Sequence, residues 1–152
     1  MSRTQHYATR ELETHIRSIY ARLEPLARKD GVYRPLDNYF DIGTPSSRDG
    51  SFCYSDDEGY HFSVHERGLL RTNLTTKNLT EITFLVLWSD ILWMAVEYEY
   101  THRISGQDFR RLMFQRMMCY WNALGPEYAE QAKRKIDDTL TKSPFNDWLE
   151  KQ

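Results

Sequence analysis

Leu12, Ile16, Ile19, Tyr20, Leu23 and Leu26 recur at the three- and four-residue intervals of one helical face, which predicts an amphipathic helix from about Thr9 to Lys29. Pro25 has no N–H to give a helix and should kink or interrupt this one near its end, and Gly31 can close it. Between Val32 and Gly50 the period is lost among Pro35, Gly43, Pro45 and Gly50, which reads as loop with one short strand around Tyr39 to Ile42. The period then becomes two. Phe52 and Tyr54 alternate with Ser51, Cys53 and Ser55, and Asp56-Asp57-Glu58-Gly59 supplies a turn. Tyr60, Phe62 and Val64 alternate with His61, Ser63 and His65, and Arg67-Gly68 offers a tight hairpin before a further strand from Leu69 to Thr75.

Three helices should follow. The first, from Asn78 or Thr80 to Arg103, is apolar almost all round in its middle and is the expected buried helix. Ser105 with Asp108 three residues on resembles a capping box, so a second helix starts there, with Phe109, Leu112, Met113, Met117, Tyr120 and Leu124 as its stripe. Gly125-Pro126 ends that helix and opens a last one through Ala129, Ala132, Ile136 and Leu140, before a tail, Phe145 to Leu149, expected to fold back through Trp148. The class is α+β: an amino-terminal helix, a small antiparallel meander of three or four strands, then three carboxy-terminal helices packed on one face. At 152 residues this is expected to be one domain, 1–152.

The junction from Glu97 to Arg111 departs from this pattern. It carries seven ionisable side chains and three aromatics at the break between two apolar helices. Glu99 and Arg103 are spaced for an i,i+4 pair, Asp108 for a cap, and Arg110 and Arg111 project about 100° apart, so one of them is expected to turn inward onto a carboxylate. The junction is either a polar network that fixes the fold or a contact site.

Composition narrows the function classes. A net charge of −2 argues against a dedicated nucleic-acid binder, which needs a positive excess facing phosphates. The segment from Gly31 to Glu66 holds seven acidic and two basic residues, an acidic stretch suited to a basic partner. Met1 to Arg10 has no apolar leader, and the apolar run Ile82 to Val96 is shorter than a bilayer span and contains Asp90, so a cytoplasmic protein with no membrane partner is expected. Cys53 and Cys119 make neither a disulfide framework nor a metal spacing.

Candidate chemistry is sparse. His61, His65 and Glu66 would suit a metal only on a helix, because four residues of strand cover roughly 13 Å. Glu66 continues the face of Tyr60, Phe62 and Val64, so its carboxylate is expected to point inward and to seek Arg103 or Arg110. No nucleophile elbow, phosphate-cradling loop, Cys–His pair or zinc box occurs, so no catalytic residue, metal or cofactor is assigned.

His-Phe-Ser-Val-His-Glu-Arg-Gly at 61–68, an apolar helix with Trp88 and Trp93, and Glu-Tyr-Thr-His-Arg-Ile-Ser-Gly-Gln-Asp-Phe-Arg-Arg-Leu-Met-Phe at 99–114 together resemble the immunity protein 63 family over roughly Tyr60 to Leu140. The resemblance implies a bacterial immunity protein of a polymorphic-toxin or contact-dependent growth inhibition system. Such a protein binds the carboxy-terminal domain of a cognate toxin in the cytoplasm and has no catalysis of its own. On that reading Glu66, Arg67, Gly68, Glu99, Arg103, Asp108, Arg110 and Arg111 are shared scaffold. Toxin contacts are expected on more variable surface, first at Asp56, Asp57 and Glu58, whose negative charge suits the basic cleft of a toxin such as a nuclease. The alternative reading is another small bacterial interaction protein, such as a secretion chaperone or adaptor.

Overall fold

The computed structural model describes residues 6–43 and 48–148; Pro45 and Leu149 lie outside them. The element order is α1 (Thr9–Ala21), α2 (Glu24–Lys29), β1 (Gly50–Asp56), β2 (Gly59–Glu66), β3 (Leu69–Thr76), α3 (Leu79–Thr101), α4 (Phe109–Leu124) and α5 (Pro126–Lys142), an α+β arrangement with helices before and after one sheet. Contacts group the chain into two compact units. One takes residues up to Tyr20 with Leu36–Trp88, and the other Ala21–Pro35 with Ser89 onward.

The first unit holds α1, the sheet and the first half of α3. Leu12, Ile16, Ile19 and Tyr20 are all buried, as the helical spacing requires. The sheet is antiparallel in the order β1-β2-β3. The β2–β3 turn has Arg67 at φ 52° and Gly68 at φ 75°, the paired positive angles that match a two-residue hairpin to strand twist. The expected strand at Tyr39–Ile42 is reduced to one parallel bridge between Tyr39 and Phe52. Burial is not confined to one face of the sheet. Central β2 buries His61, Ser63 and His65 as well as Tyr60 and Phe62, because Tyr54 stacks on His61 and Phe52 packs edge-on against His65.

The second unit holds α2, the rest of α3, α4 and α5, with Leu23, Ala27, Ile91, Met94, Met117, Tyr120, Trp121, Ala132 and Ile136 among its buried side chains. Pro25 does interrupt the first helical stretch: α1 stops at Ala21 and α2 restarts with the proline in its first turn, where no N–H is missed. Gly31 at φ 74° closes α2, its N–H reaching the Arg28 carbonyl and that of Val32 the Ala27 carbonyl, both at 3.0 Å. The cap of α4 is Asp108 rather than Ser105, which sits in the preceding turn.

At 23 residues α3 is longer than its apolar run suggests, and by length and composition alone it could cross a bilayer. Its packing is that of a core helix. Asn78 caps it through the Glu81 N–H at 2.9 Å, Asp90 is buried with Arg34 at 3.4 Å, and Glu99 is buried near its end.

Candidate functional site

The junction after α3 is a network of paired charges. Glu99 is the buried partner of its pair: Arg103 donates to both carboxylate oxygens, at 3.1 and 2.9 Å, while its own guanidinium stays exposed. Asp108 Oδ1 accepts the Arg110 N–H at 3.0 Å, and Oδ2 accepts from the Arg110 guanidinium at 3.0 Å and from the Asn146 N–H at 2.8 Å. The hydrogen bond from Arg110 leads the effects that hold the Asp108 carboxyl well below the usual carboxylate range, outweighing the burial that would raise it. Arg110 then reaches the carbonyls of Ser143 and Pro144 at 2.9 and 2.8 Å. Arg111 binds Asp147 through paired 3.0 Å contacts and covers the Phe145 ring at 4.2 Å. Arg110 is therefore the arginine turned inward. The tail does fold back, through Phe145, Asn146 and Asp147, whereas Trp148 is exposed.

Glu66 does not point into an interface. Burial fades along its face from Tyr60 and Phe62 to a half-buried Val64, so the apolar cover has ended where Glu66 begins. Its carboxylate is exposed with Arg71 at 3.8 Å, while Arg103 and Arg110 take Glu99 and Asp108. Arg67 and Gly68 form the turn and carry no ion pair among the described residues.

A second charged cluster was not anticipated. Arg116 donates to both oxygens of Asp30, at 2.7 and 2.6 Å, and the Tyr120 hydroxyl donates to the same carboxylate at 2.7 Å. The guanidinium lies 4.6 Å from the centre of the Tyr98 ring. Burial, with the hydrogen bond to Asp30, pushes the Tyr120 hydroxyl up, and the bonds to Asp30 and Tyr120 raise Arg116 against the opposing effect of burial. The signal was legible: Arg116 occupies a core position between Met113 and Tyr120 at spacings of three and four. Beside Asp30 lies a cleft of about 330 Å³ lined by Val32, Val96, Glu97 and Tyr100. Tyr100 is 73% exposed, and Trp93, seven residues earlier on α3, is 54% exposed.

The acidic turn has one committed member and two free to act. Asp56 Oδ1 lies 2.7 Å from His61 Nε2, and the Thr75 hydroxyl lies 3.0 Å from His61 Nδ1. A carboxylate only accepts, so the imidazole donates from Nε2. Asp56 also accepts the Glu58 N–H at 2.8 Å, and the bond from His61 leads the causes that lower its pKa. Asp57 and Glu58 are exposed at the turn's tip. Asp56, Glu58 and His61 bring three donor atoms within 4.8 Å of one another, but both ring nitrogens of His61 are already engaged. His65 packs against Phe52 instead, so the two histidines share no site.

The sequence model of a protein family described as Immunity protein 63 matches residues 56–138, more than half of the chain. The match begins at the acidic turn and takes in the junction, but leaves out Asp30 and Asp147. No curated protein and no solved structure matches the chain.

Proposed function

The chain belongs to the immunity protein 63 family, and from that premise we propose that it protects its bacterial host by binding and neutralising a cognate toxin domain in the cytoplasm, without catalysis of its own. The family match carries this reading. The use of the charged residues supports it: Glu99, Asp108 and Asp30 are each saturated by an arginine and, at the latter two, by further donors. Such groups hold a fold; a general acid or base needs a free proton position facing a substrate. Recognition then falls to exposed surface. The acidic turn is the proposed contact, with Asp57 and Glu58 facing the toxin and Asp56 holding the turn through His61. Its negative charge would steer a basic surface, such as the substrate cleft of a nuclease, into place.

The test is co-expression with the cognate toxin domain. Host cells should survive induction of the toxin with the immunity protein and die without it. Death in both cases would remove the reading.

A further inference from the structure

The two edges of the sheet are treated differently. The outward backbone groups of β1 are covered along the strand: Tyr39 donates to the Ser51 carbonyl and accepts from the Cys53 N–H, both at 2.8 Å; the Ser55 N–H donates to Thr9 Oγ1 at 3.0 Å; and His6 Nε2 donates to the Asp56 carbonyl at 2.9 Å. Seven of the eight residues of β3 pair with β2, and among the described residues no backbone group of β3 is bonded on its other side. Every second residue of an antiparallel edge turns its N–H and C=O away from the ladder, so β3 presents a row of unfilled donors and acceptors.

The side chains of β3 are unusual for a free edge. Leu69, Leu70 and Leu74 are 54, 50 and 43% exposed. Proline, lysine and inward-pointing charge, three of the devices that keep an edge unpaired, are absent from it; its protection is limited to Arg71, its one charge, at the register shift opposite Val64 and His65. The edge also has a polarity. Its Thr76 end adjoins the acidic turn, whose three carboxylates outnumber the neighbouring Lys77, since Gly59 sits against Thr76 and Lys77 and Tyr60 pairs with Thr76. At its Leu69 end Arg71 faces Glu66 at 3.8 Å, and the Gly68 N–H reaches the Asp49 carboxylate at 3.4 Å, so charge there is balanced.

We propose that β3 receives an extended segment of the toxin as a fourth strand, with apolar side chains against Leu70 and Leu74 and a basic residue at the end lying beside Thr76 and the acidic turn. Main-chain hydrogen bonds would supply affinity and the flanking leucines and carboxylates specificity. A second copy of this chain fits less well, because two-fold pairing of β3 would set each acidic turn against a balanced end. This inference rests on the immunity reading and adds to it where and how the toxin docks.

Amide hydrogen exchange of the full chain, alone and with the co-expressed toxin domain, tests it. Binding should slow exchange at alternate β3 residues roughly 100-fold and leave β2 unchanged. Leu70→Lys with Leu74→Lys should weaken the complex at least tenfold while the exchange pattern of α3 to α5 reports an intact fold. A tight complex in which β3 exchanges as in the free protein would overturn the proposal and leave the immunity reading standing. Concentration-dependent protection of β3 without toxin would overturn it in favour of a second copy. Failure of the toxin to bind at all would remove both.

Discussion

Asp108 engages Arg110 through three hydrogen bonds, accepting its backbone N–H at 3.0 Å and its Nε–H at 3.3 Å on one carboxylate oxygen and its Nη2–H at 3.0 Å on the other. The same side chain thus starts α4 and fixes the arginine that ties down Ser143 and Pro144. Asp108→Ala should cost about 3 kcal/mol, combining a lost cap with a stranded, largely buried cation, and Asp108→Asn about 1 kcal/mol. Urea denaturation measures both, and faster exchange at the Asn146 amide should accompany the alanine variant.

The pH dependence follows from the same group. Its folded pKa lies below the unfolded one, with the Arg110 hydrogen bond as the leading cause. Between those values the unfolded chain binds the extra proton, so the stabilisation is complete above about pH 4 and is lost as pH falls toward the folded value. Stability should therefore decline below about pH 4, and Asp108→Asn should flatten that decline. An identical slope in both proteins would contradict the assignment.

Arg116 and Asp30 form a short, part-buried pair in the second unit. Arg116→Ala should cost about 3–5 kcal/mol by leaving Asp30 buried without its cation, and Tyr120→Phe about 1 kcal/mol. Replacing both charges together, as Asp30→Leu with Arg116→Met, should recover a large part of the loss. A double-mutant cycle reads this coupling directly.

Charge reversal at the turn separates recognition from folding. Asp57→Lys with Glu58→Lys should leave stability within about 0.5 kcal/mol, because both side chains are exposed. Toxin association should slow at least tenfold, with the difference shrinking as salt rises. Unchanged association after reversal at all three positions, Asp56 included, would exclude this contact.

Cys53 is fully buried, and burial pushes its thiol up to about 12. Native protein at pH 8 should therefore release little Cys53 to an alkylating reagent, and denaturant should expose it. Mass mapping of the labelled residue checks this.

Much of the fold was legible because local periodicity and local turn chemistry decide it. Leu12, Ile16 and Ile19 mark the buried face of α1, Pro25 its interruption, and Arg67-Gly68 the hairpin. The errors lie where burial depends on what covers an element. Glu66 keeps the phase of Tyr60 and Phe62 but extends past the cover that makes that phase inward. His61, Ser63 and His65 are the polar half of their strand's alternation, yet β2 is central and has aromatics from β1 over them. The link between Asp30 and Arg116 spans 86 residues, beyond any local pattern, although an arginine inside an apolar helical stripe was the available hint. The open edge of β3 was invisible for the same reason: a strand's pattern does not say whether its second edge finds a partner.

Titration of the purified protein into its purified toxin domain, with toxin activity assayed at each step, is the decisive measurement of whether direct binding neutralises the toxin. A stable complex of fixed stoichiometry should form, with activity falling in proportion to it. Host survival with no complex, and toxin activity unchanged at saturating immunity protein, would contradict direct neutralisation.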